Sequence, residues 1–114
     1  LDAFDRQAVE ILVSGRAERA FNLQLEDPRL REKYGPGYGQ ELLTARRLIE
    51  AGVRFVTVRA TGSGPGSNAH DWDDHAVNWD LRTAMLARLP QYDHIVTTLI
   101  EDLFDRGLHE RGLL

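Results

Sequence analysis

The sequence contains no cysteine and no long apolar run, and its charge is not strongly of one sign. Without cysteine, disulfides and thiolate zinc sites are excluded, so any metal site must use histidine and carboxylate side chains. No apolar stretch approaches the roughly 20 residues that span a bilayer, so we expect no membrane partner. A formal net charge of -4 gives no general attraction to nucleic acid phosphates, so we expect no nucleic-acid partner either.

The length of 114 residues, of which 42% are hydrophobic and 28% charged, suits one small domain with a modest core. The chain opens on Leu1 rather than on methionine, and it closes on the apolar pair Leu113-Leu114 after a helix-stop glycine. We therefore expect residues 1–114 to form a single incomplete domain within a larger or processed protein. The remaining part of that domain would then be its partner.

Most of the chain has the apolar spacing of helices, interrupted at glycine and proline. The pattern predicts helices over residues 4–20, 28–34, 39–51, 79–89 and 92–104, with a short extended connection over 21–25. Gly15 weakens the first of these helices, and Pro90 kinks or restarts the chain between the last two.

One segment has the composition of a β-strand. Residues 53–58 read Val-Arg-Phe-Val-Thr-Val, which is β-branched and aromatic, and they stand between Gly52 and a glycine-rich loop. A helix, a glycine and then a mostly apolar strand is the order typical of an α/β fold. We therefore predict an α/β domain that is mostly helical, with at least one buried parallel strand at about residues 53–59.

The densest group of potential metal ligands follows that loop, over residues 70–78 (His-Asp-Trp-Asp-Asp-His-Ala-Val-Asn). Asp71 stands four residues before His75, and Asp73 stands two residues before it. Either pair could reach one divalent cation, zinc before other metals, the first pair on a helical turn and the second on an extended or turn backbone. Alternatively, Asp73, Asp74 or Asn78 caps the helix that follows.

Other polar residues carry weaker signals. His94 and His109 are expected in solvent, as are Arg46 and Arg47, although this arginine pair could instead contact an anionic substrate. No serine stands in a recognisable nucleophile setting and cysteine is absent, so the catalytic residues remain unknown.

Several segments resemble the bacterial domain of unknown function 1501 family. The most specific is residues 45–56, Ala-Arg-Arg-Leu-Ile-Glu-Ala-Gly-Val-Arg-Phe-Val. Residues 72–75 are similar to that family's Trp-Asp-x-His, residues 103–108 are similar to its Leu-Phe-Asp-Arg-Gly-Leu, and residues 20–23 fit its Ala-Phe-Asp-Leu with Asn22 in place of Asp. The resemblance covers roughly residues 16–114.

That family is placed near the alkaline phosphatase and sulfatase superfamily, whose α/β/α fold binds divalent metals at one edge of its sheet. Superfamily members carry an Asp-x-x-x-His metal pair, with the spacing of Asp71 and His75, whereas the family motif emphasises Asp73. The string Asp-x-x-Asp-His-Ala-x-Asn of alkaline phosphatases also matches residues 71–78. The resemblance thus implies a divalent metal, most readily zinc, held by His75 with Asp73 or Asp71.

The resemblance further implies a metal-dependent hydrolase of sulfate or phosphate esters, with a small anionic ester as substrate. The nucleophile segment and the family's Gly-Glu-Phe-Gly-Arg-Thr-Pro segment are not in these residues, so we expect no turnover by this piece alone. The alternative is a non-catalytic α/β binding or scaffold domain. The resemblance indicates a bacterial protein and leaves its localisation open, since cysteine-free proteins are also exported.

Overall fold

A computed structural model describes residues 2–60, 72 and 80–111 of the chain. In this described part, the secondary structure consists of α1 (Ala3–Val13), α2 (Arg16–Phe21), α3 (Pro28–Tyr34), α4 (Tyr38–Glu50) and α5 (Leu81–Asp105), with short 3₁₀ turns at Leu23–Leu25 and Leu108–Glu110. Helix α4 packs against α2, α3 and α5, while α1 packs on α2. None of the described helices is long and apolar enough to span a membrane.

The predicted α/β fold is wrong, since no strand occurs within residues 2–60, 72 and 80–111. Residues 53–60, where a buried parallel strand was predicted, have irregular backbone instead. A strand needs a neighbour to pair its N–H and C=O groups, and the described helices offer none. The predicted burial is also wrong at Phe55, which is 83% exposed.

The first predicted helix is divided in two. Helix α1 ends at Val13 and α2 begins at Arg16, because Gly15 adopts a left-handed backbone conformation with φ of 69°. The predicted extended connection at residues 21–25 is wrong, since Leu23–Leu25 form a 3₁₀ turn. The left-handed Gly15 therefore ends the first helix, although the apolar spacing continues through it.

The predicted helix over residues 28–34 is confirmed as α3. The carboxylate of Asp27 accepts a hydrogen bond of 2.8 Å from the backbone N–H of Arg29, and Pro28 occupies the first helical position. Proline suits that position because its missing N–H would have no partner within the helix.

The two predicted helices on either side of Pro90 are one helix, α5. Proline removes one backbone hydrogen bond, but Ala84 before it and Ile95 and Leu99 after it are all buried. Burial of apolar side chains on both sides keeps the helix continuous despite that loss. The helix also begins at Leu81, two residues later than predicted.

A small core joins the helices where α3, α4 and α5 meet. Tyr34, Leu43 and Leu99 form its buried centre, and leucines 23, 30, 42 and 103 pack around them. Gly39 lies in contact with the end of α3, where an added Cβ would come within 2.0 Å of the carbonyl oxygen of Tyr34. The start of α4 can therefore approach α3 only because residue 39 has no side chain.

Candidate functional site

The predicted metal ligands Asp71, Asp73 and His75 lie outside the described residues. So do the alternative capping residues Asp74 and Asn78, along with His70 and the glycine-rich loop that precedes it. Elsewhere, within residues 2–60, 72 and 80–111, no three histidine or carboxylate side chains are placed to hold a metal ion. The described residues that bear on the predicted site are therefore Trp72, between the two competing aspartates, and Asp80, after the loop.

Trp72 contacts helix α5 through two side chains. Its ring centroid lies 5.8 Å from that of Tyr92, with the two planes at 79° in an edge-to-face arrangement. The guanidinium carbon of Arg88 lies 5.7 Å from the centre of the Trp72 ring, within the range of a cation–π interaction. Arg88 and Tyr92 are four residues apart, which places them on the same face of the helix.

Two side chains near this contact are almost completely buried, although Trp72 itself is 37% exposed. Arg88 is only 2% exposed and Tyr38, the first residue of α4, only 3%. The hydroxyl of Tyr38 makes no hydrogen bond in the described part of the chain. Burial raises the pKa of Tyr38 above 10, and the nearby Tyr92 hydroxyl raises it further. This phenol therefore stays protonated at neutral pH, and its O–H group donates no hydrogen bond to any described residue.

Asp80 caps helix α5. One carboxylate oxygen accepts a hydrogen bond of 3.1 Å from the backbone N–H of Thr83, and the other accepts one of 2.6 Å from the Thr83 hydroxyl. These bonds hold the pKa of Asp80 below its ordinary value. The N-cap of α5 is thus Asp80 rather than Asp73, Asp74 or Asn78.

A largely buried group of charged residues and one tyrosine joins α3, α4, α5 and the segment before α3. We call it the Arg46 cluster; its members are Glu26, Tyr34, Arg46, Arg47, Glu50, Asp102 and Arg106. Arg46 lies at the centre and is 2% exposed. Its Nε donates to Asp102 at 2.9 Å, its Nη1 to Glu50 at 2.6 Å and its Nη2 to Glu26 at 2.5 Å. The sequence-based expectation that Arg46 is solvated is wrong.

Asp102 receives bonds from three directions. Besides Arg46, it accepts a hydrogen bond of 2.7 Å from the Tyr34 hydroxyl and one of 2.7 Å from Nε of Arg106. Burial and the hydrogen bond to Asp102 raise the pKa of Tyr34 far above 10. Asp102 is itself buried. Each polar group therefore has a partner, and the Arg46 cluster is suited to holding helices together rather than to binding a substrate.

The carboxylates and guanidinium groups of this cluster balance one another. Arg47 and Arg106 also donate to Glu26, at 2.9 and 3.3 Å. Burial alone would raise the pKa of Glu26, but hydrogen bonds from Arg46 and Arg47 outweigh it, so the pKa lies below 4.5. The same bonding to carboxylates raises the pKa of Arg46 in spite of its burial. Glu26 and Arg46 thus keep their charged forms at neutral pH.

Two grooves are present on the described surface. One, of about 400 Å³, lies beside the Arg46 cluster and is lined by charged residues that include Lys33, Asp105 and Arg106. The other, of about 450 Å³, is apolar and lies between α1, α2 and α4, with Phe4 and Phe21 among its lining residues. Neither adjoins Trp72.

The two described histidines are both engaged in local contacts. Nε2 of His94 lies 2.7 Å from the carbonyl oxygen of Lys33, to which the protonated ring nitrogen donates a hydrogen bond. The ring of His109 stacks on Phe104 with the centroids 4.1 Å apart. These contacts link α5 to α3 and to the final 3₁₀ turn, and they give neither histidine a metal-binding arrangement.

Comparison with known proteins gives one match. A family model described as "Protein of unknown function (DUF1501)" matches residues 1–114. No curated protein and no solved structure matches the chain.

Proposed function

The chain belongs to the DUF1501 family of proteins of unknown function, and from that premise we propose that it contributes metal ligands to a metal-dependent hydrolase. The substrates would be small esters of sulfate or phosphate. His75 would bind the metal together with Asp73 or Asp71. Further ligands and the nucleophile would come from other parts of the full-length protein, so the 114 residues alone would not turn over substrate.

The donor set fits a borderline divalent metal such as zinc. A neutral imidazole and a carboxylate are among the ligands that zinc sites use, and cysteine is not available. A metal bound there would polarise an ester oxygen and supply hydroxide near neutral pH. The side chains of His75 and an aspartate would hold it in place, and Asp74 would be free to orient His75 through a hydrogen bond.

The capping of α5 by Asp80 is the observation that supports this proposal most. The competing explanation for the acidic string was that Asp73, Asp74 or Asn78 caps the following helix. Asp80 already satisfies the first turn of α5 with two hydrogen bonds. Capping of α5 therefore does not account for the string, and metal binding remains as an explanation for a histidine and three carboxylates at this spacing.

The contacts of Trp72 give further support. Trp72 stands between Asp71 and Asp73 in the sequence, and its ring is held against Arg88 and Tyr92 of α5. A ligand site needs side chains on a backbone that is held in position. The finer likeness to alkaline phosphatases and sulfatases rests on the match at residues 71–78, because the described helices do not share the α/β architecture of that superfamily.

The test is metal analysis of the purified full-length protein, with the wild type compared with His75→Ala, Asp71→Asn and Asp73→Asn. We expect stoichiometric zinc or another divalent metal in the wild type and its loss in His75→Ala. Either Asp71→Asn or Asp73→Asn, but not both, should lose as much metal as His75→Ala does. The variant that loses the metal identifies the carboxylate ligand. Asp93→Asn and His109→Ala are matched controls, since both residues are exposed in the described structure and should retain the metal.

Activity is measured in parallel with nitrophenyl phosphate and nitrophenyl sulfate. The proposal expects hydrolysis of one of them by the wild type and its loss with the metal. A wild-type protein without stoichiometric metal, whose His75→Ala variant is unchanged in every measurement, would contradict the proposal. That result would instead favour a non-catalytic binding or scaffold domain.

A further inference from the structure

The apolar groove between α1, α2 and α4 uses residues of neither the Arg46 cluster nor the predicted metal site. It encloses about 450 Å³, and the apolar side chains that line it include Phe4, Ala8, Leu12, Ala17, Phe21 and Leu48. Phe4, Leu12 and Phe21 are each more than half exposed, so this apolar lining is open to solvent. A concave and mostly apolar surface of about 300–1,000 Å³ is typical of sites for small organic ligands. The groove is therefore a candidate binding site.

Two polar side chains, Gln7 and Arg54, also line the groove. Nε of Arg54 donates a hydrogen bond of 3.1 Å to the amide oxygen of Gln7, and the amide nitrogen of Gln7 donates one of 3.5 Å to the carbonyl oxygen of Gly52. The guanidinium carbon of Arg54 lies 4.8 Å from the centre of the Phe4 ring. The Arg54 cation is thus held against α1 by one hydrogen bond and one cation–π contact.

The charge of Arg54 is not neutralised by a carboxylate of the described residues. In that part of the chain, the hydrogen-bond and ring contacts of its side chain are those with Gln7 and Phe4, and neither partner is an anion. Its two terminal nitrogens therefore keep N–H groups for another acceptor. A guanidinium group binds a planar carboxylate through two parallel hydrogen bonds. An apolar groove beside such a cation complements a molecule that is apolar along its length and anionic at one end.

We propose that this groove is a binding site for a small amphipathic anion, an aliphatic carboxylic acid of medium chain length. The alkyl chain of the ligand packs against Phe4, Leu12 and Phe21, and its carboxylate accepts hydrogen bonds from the terminal nitrogens of Arg54. Burial of the alkyl chain supplies affinity, and Arg54 gives preference for the anionic end. The inference does not rest on the proposed function, because none of the described lining residues is a predicted metal ligand.

Two larger occupants suit the groove less well. An anionic membrane surface attracts a group of basic residues, whereas Arg54 is the one cation among the described lining residues and the chain has a net charge of -4. A protein partner needs an extended surface, whereas a groove of about 450 Å³ has the size of a small-molecule site. The charge and the volume therefore both favour a small ligand with one anionic group.

The test is isothermal titration calorimetry of the full-length protein at low ionic strength, with octanoate as the ligand and octanol as its uncharged counterpart. Arg54→Met keeps an unbranched apolar side chain and removes the cation, while Arg54→Lys keeps the charge. Arg82→Met is the matched control, because Arg82 is an exposed arginine of α5. Ala8→Trp fills the groove, and Ala3→Trp is its control, because Ala3 is exposed on the same helix and does not line the groove. His75→Ala is included because a bound metal ion also attracts carboxylates.

We expect the wild type to bind octanoate saturably at one site per chain, and to bind octanol about 10-fold more weakly, because octanol forms no charge-assisted pair with Arg54. Arg54→Met should weaken octanoate binding by about the same factor and leave octanol binding unchanged. Arg54→Lys should recover part of the loss. Ala8→Trp should abolish saturable binding of both ligands. The variants Arg82→Met, Ala3→Trp and His75→Ala should all bind octanoate as the wild type does.

Three results would overturn the inference. The first is a wild type that does not bind octanoate saturably, or an Arg54→Met variant that binds it equally well. The second is binding that is lost in His75→Ala and retained in Ala8→Trp, which would place the carboxylate at the metal. The third is a smaller sedimenting mass for Ala8→Trp than for the wild type, which would show that a second copy of the chain covers the groove. A wild type without metal that binds octanoate as expected would contradict only the proposed function.

Discussion

Arg46 connects three parts of the chain through one guanidinium group. Its three nitrogens donate to Asp102 on α5, to Glu50 on its own helix and to Glu26 before α3. The carboxylates of Asp102 and Glu26 are themselves almost closed off from solvent. Removal of the cation would leave these negative charges buried without their main partner.

We predict that Arg46→Met lowers the free energy of unfolding by about 3–5 kcal/mol, the usual cost of breaking a buried ion pair from one side. Urea unfolding followed by circular dichroism measures the change. Lys33→Met is the matched control, because the Lys33–Glu101 pair is exposed on both sides and should contribute little. Equal losses in the two variants would show that the Arg46 cluster does not stabilise the fold.

Only part of this cluster could be predicted from the sequence. The pairs Arg46–Glu50 and Asp102–Arg106 have the i, i+4 spacing that brings charges together on a helix. The bond between Arg46 and Asp102 joins residues 56 positions apart, and no local pattern reports such a contact. Helix periodicity assigns charged residues to solvent, so it gives no sign that Arg46 and Asp102 are buried.

At the scale of elements, Gly39 determines how closely α4 approaches α3. Helix propensity alone would make Gly39→Ala stabilising by about 1 kcal/mol. The space is already taken, however, since a Cβ there would lie 2.0 Å from the carbonyl oxygen of Tyr34 and 3.4 Å from Ile95. The two helices would have to separate to admit a methyl group.

We therefore predict that Gly39→Ala is destabilising, by about 1–3 kcal/mol, as expected for overpacking. Thermal unfolding gives the difference. Ala45→Gly in the same helix is the reverse substitution and should cost about 1 kcal/mol through propensity alone. A stabilised Gly39→Ala variant would contradict the close approach of α3 and α4.

The wrongly predicted strand at residues 53–59 shows why composition alone does not predict a strand. β-Branched and aromatic residues favour a pleated, half-buried surface, but that surface exists only when another strand lies alongside. The helical segments were predicted better, since a helix satisfies its own backbone and carries local signals such as Asp27-Pro28, although one predicted helix is divided in two and two others form a single helix. Family membership was also predicted correctly, from residues 45–56 among others, because a long specific run needs no partner to be recognised.

The candidate site too could be predicted only in part from the sequence. The acidic string at residues 71–75 was evident from its composition, and it stays a prediction, since those residues lie outside the described structure. The contact of Trp72 with α5 was not evident, because Trp72 and Arg88 are 16 positions apart and neither has the spacing of a motif.

At the scale of the whole molecule, the charges of the Arg46 cluster connect stability to pH. In the folded protein the pKa of Glu26 lies below 4.5, because hydrogen bonds from Arg46 and Arg47 outweigh the effect of burial. Such a carboxyl group stabilises the fold fully at a pH above its pKa in the unfolded chain. The stabilisation is lost as the pH falls through its lower pKa in the folded protein. Tyr34 makes stability depend on pH in the alkaline range. Burial and its bond to Asp102 raise its pKa above 10, so its stabilisation is present below pH 10 and is lost as the pH rises further.

We therefore predict that the free energy of unfolding is nearly constant across neutral pH with respect to these two groups, and that it falls below pH 4.5 and above pH 10. Urea unfolding across this range, in about 0.5 M salt to screen surface pairs, measures the profile. Glu26→Gln should lower stability at neutral pH and flatten the acid limb, while Tyr34→Phe should flatten the alkaline limb. Glu101→Gln is the control for the acid limb, because its exposed pair with Lys33 is screened by the salt. An acid limb unchanged in Glu26→Gln would mean that other carboxyl groups, and not the Arg46 cluster, govern unfolding in acid.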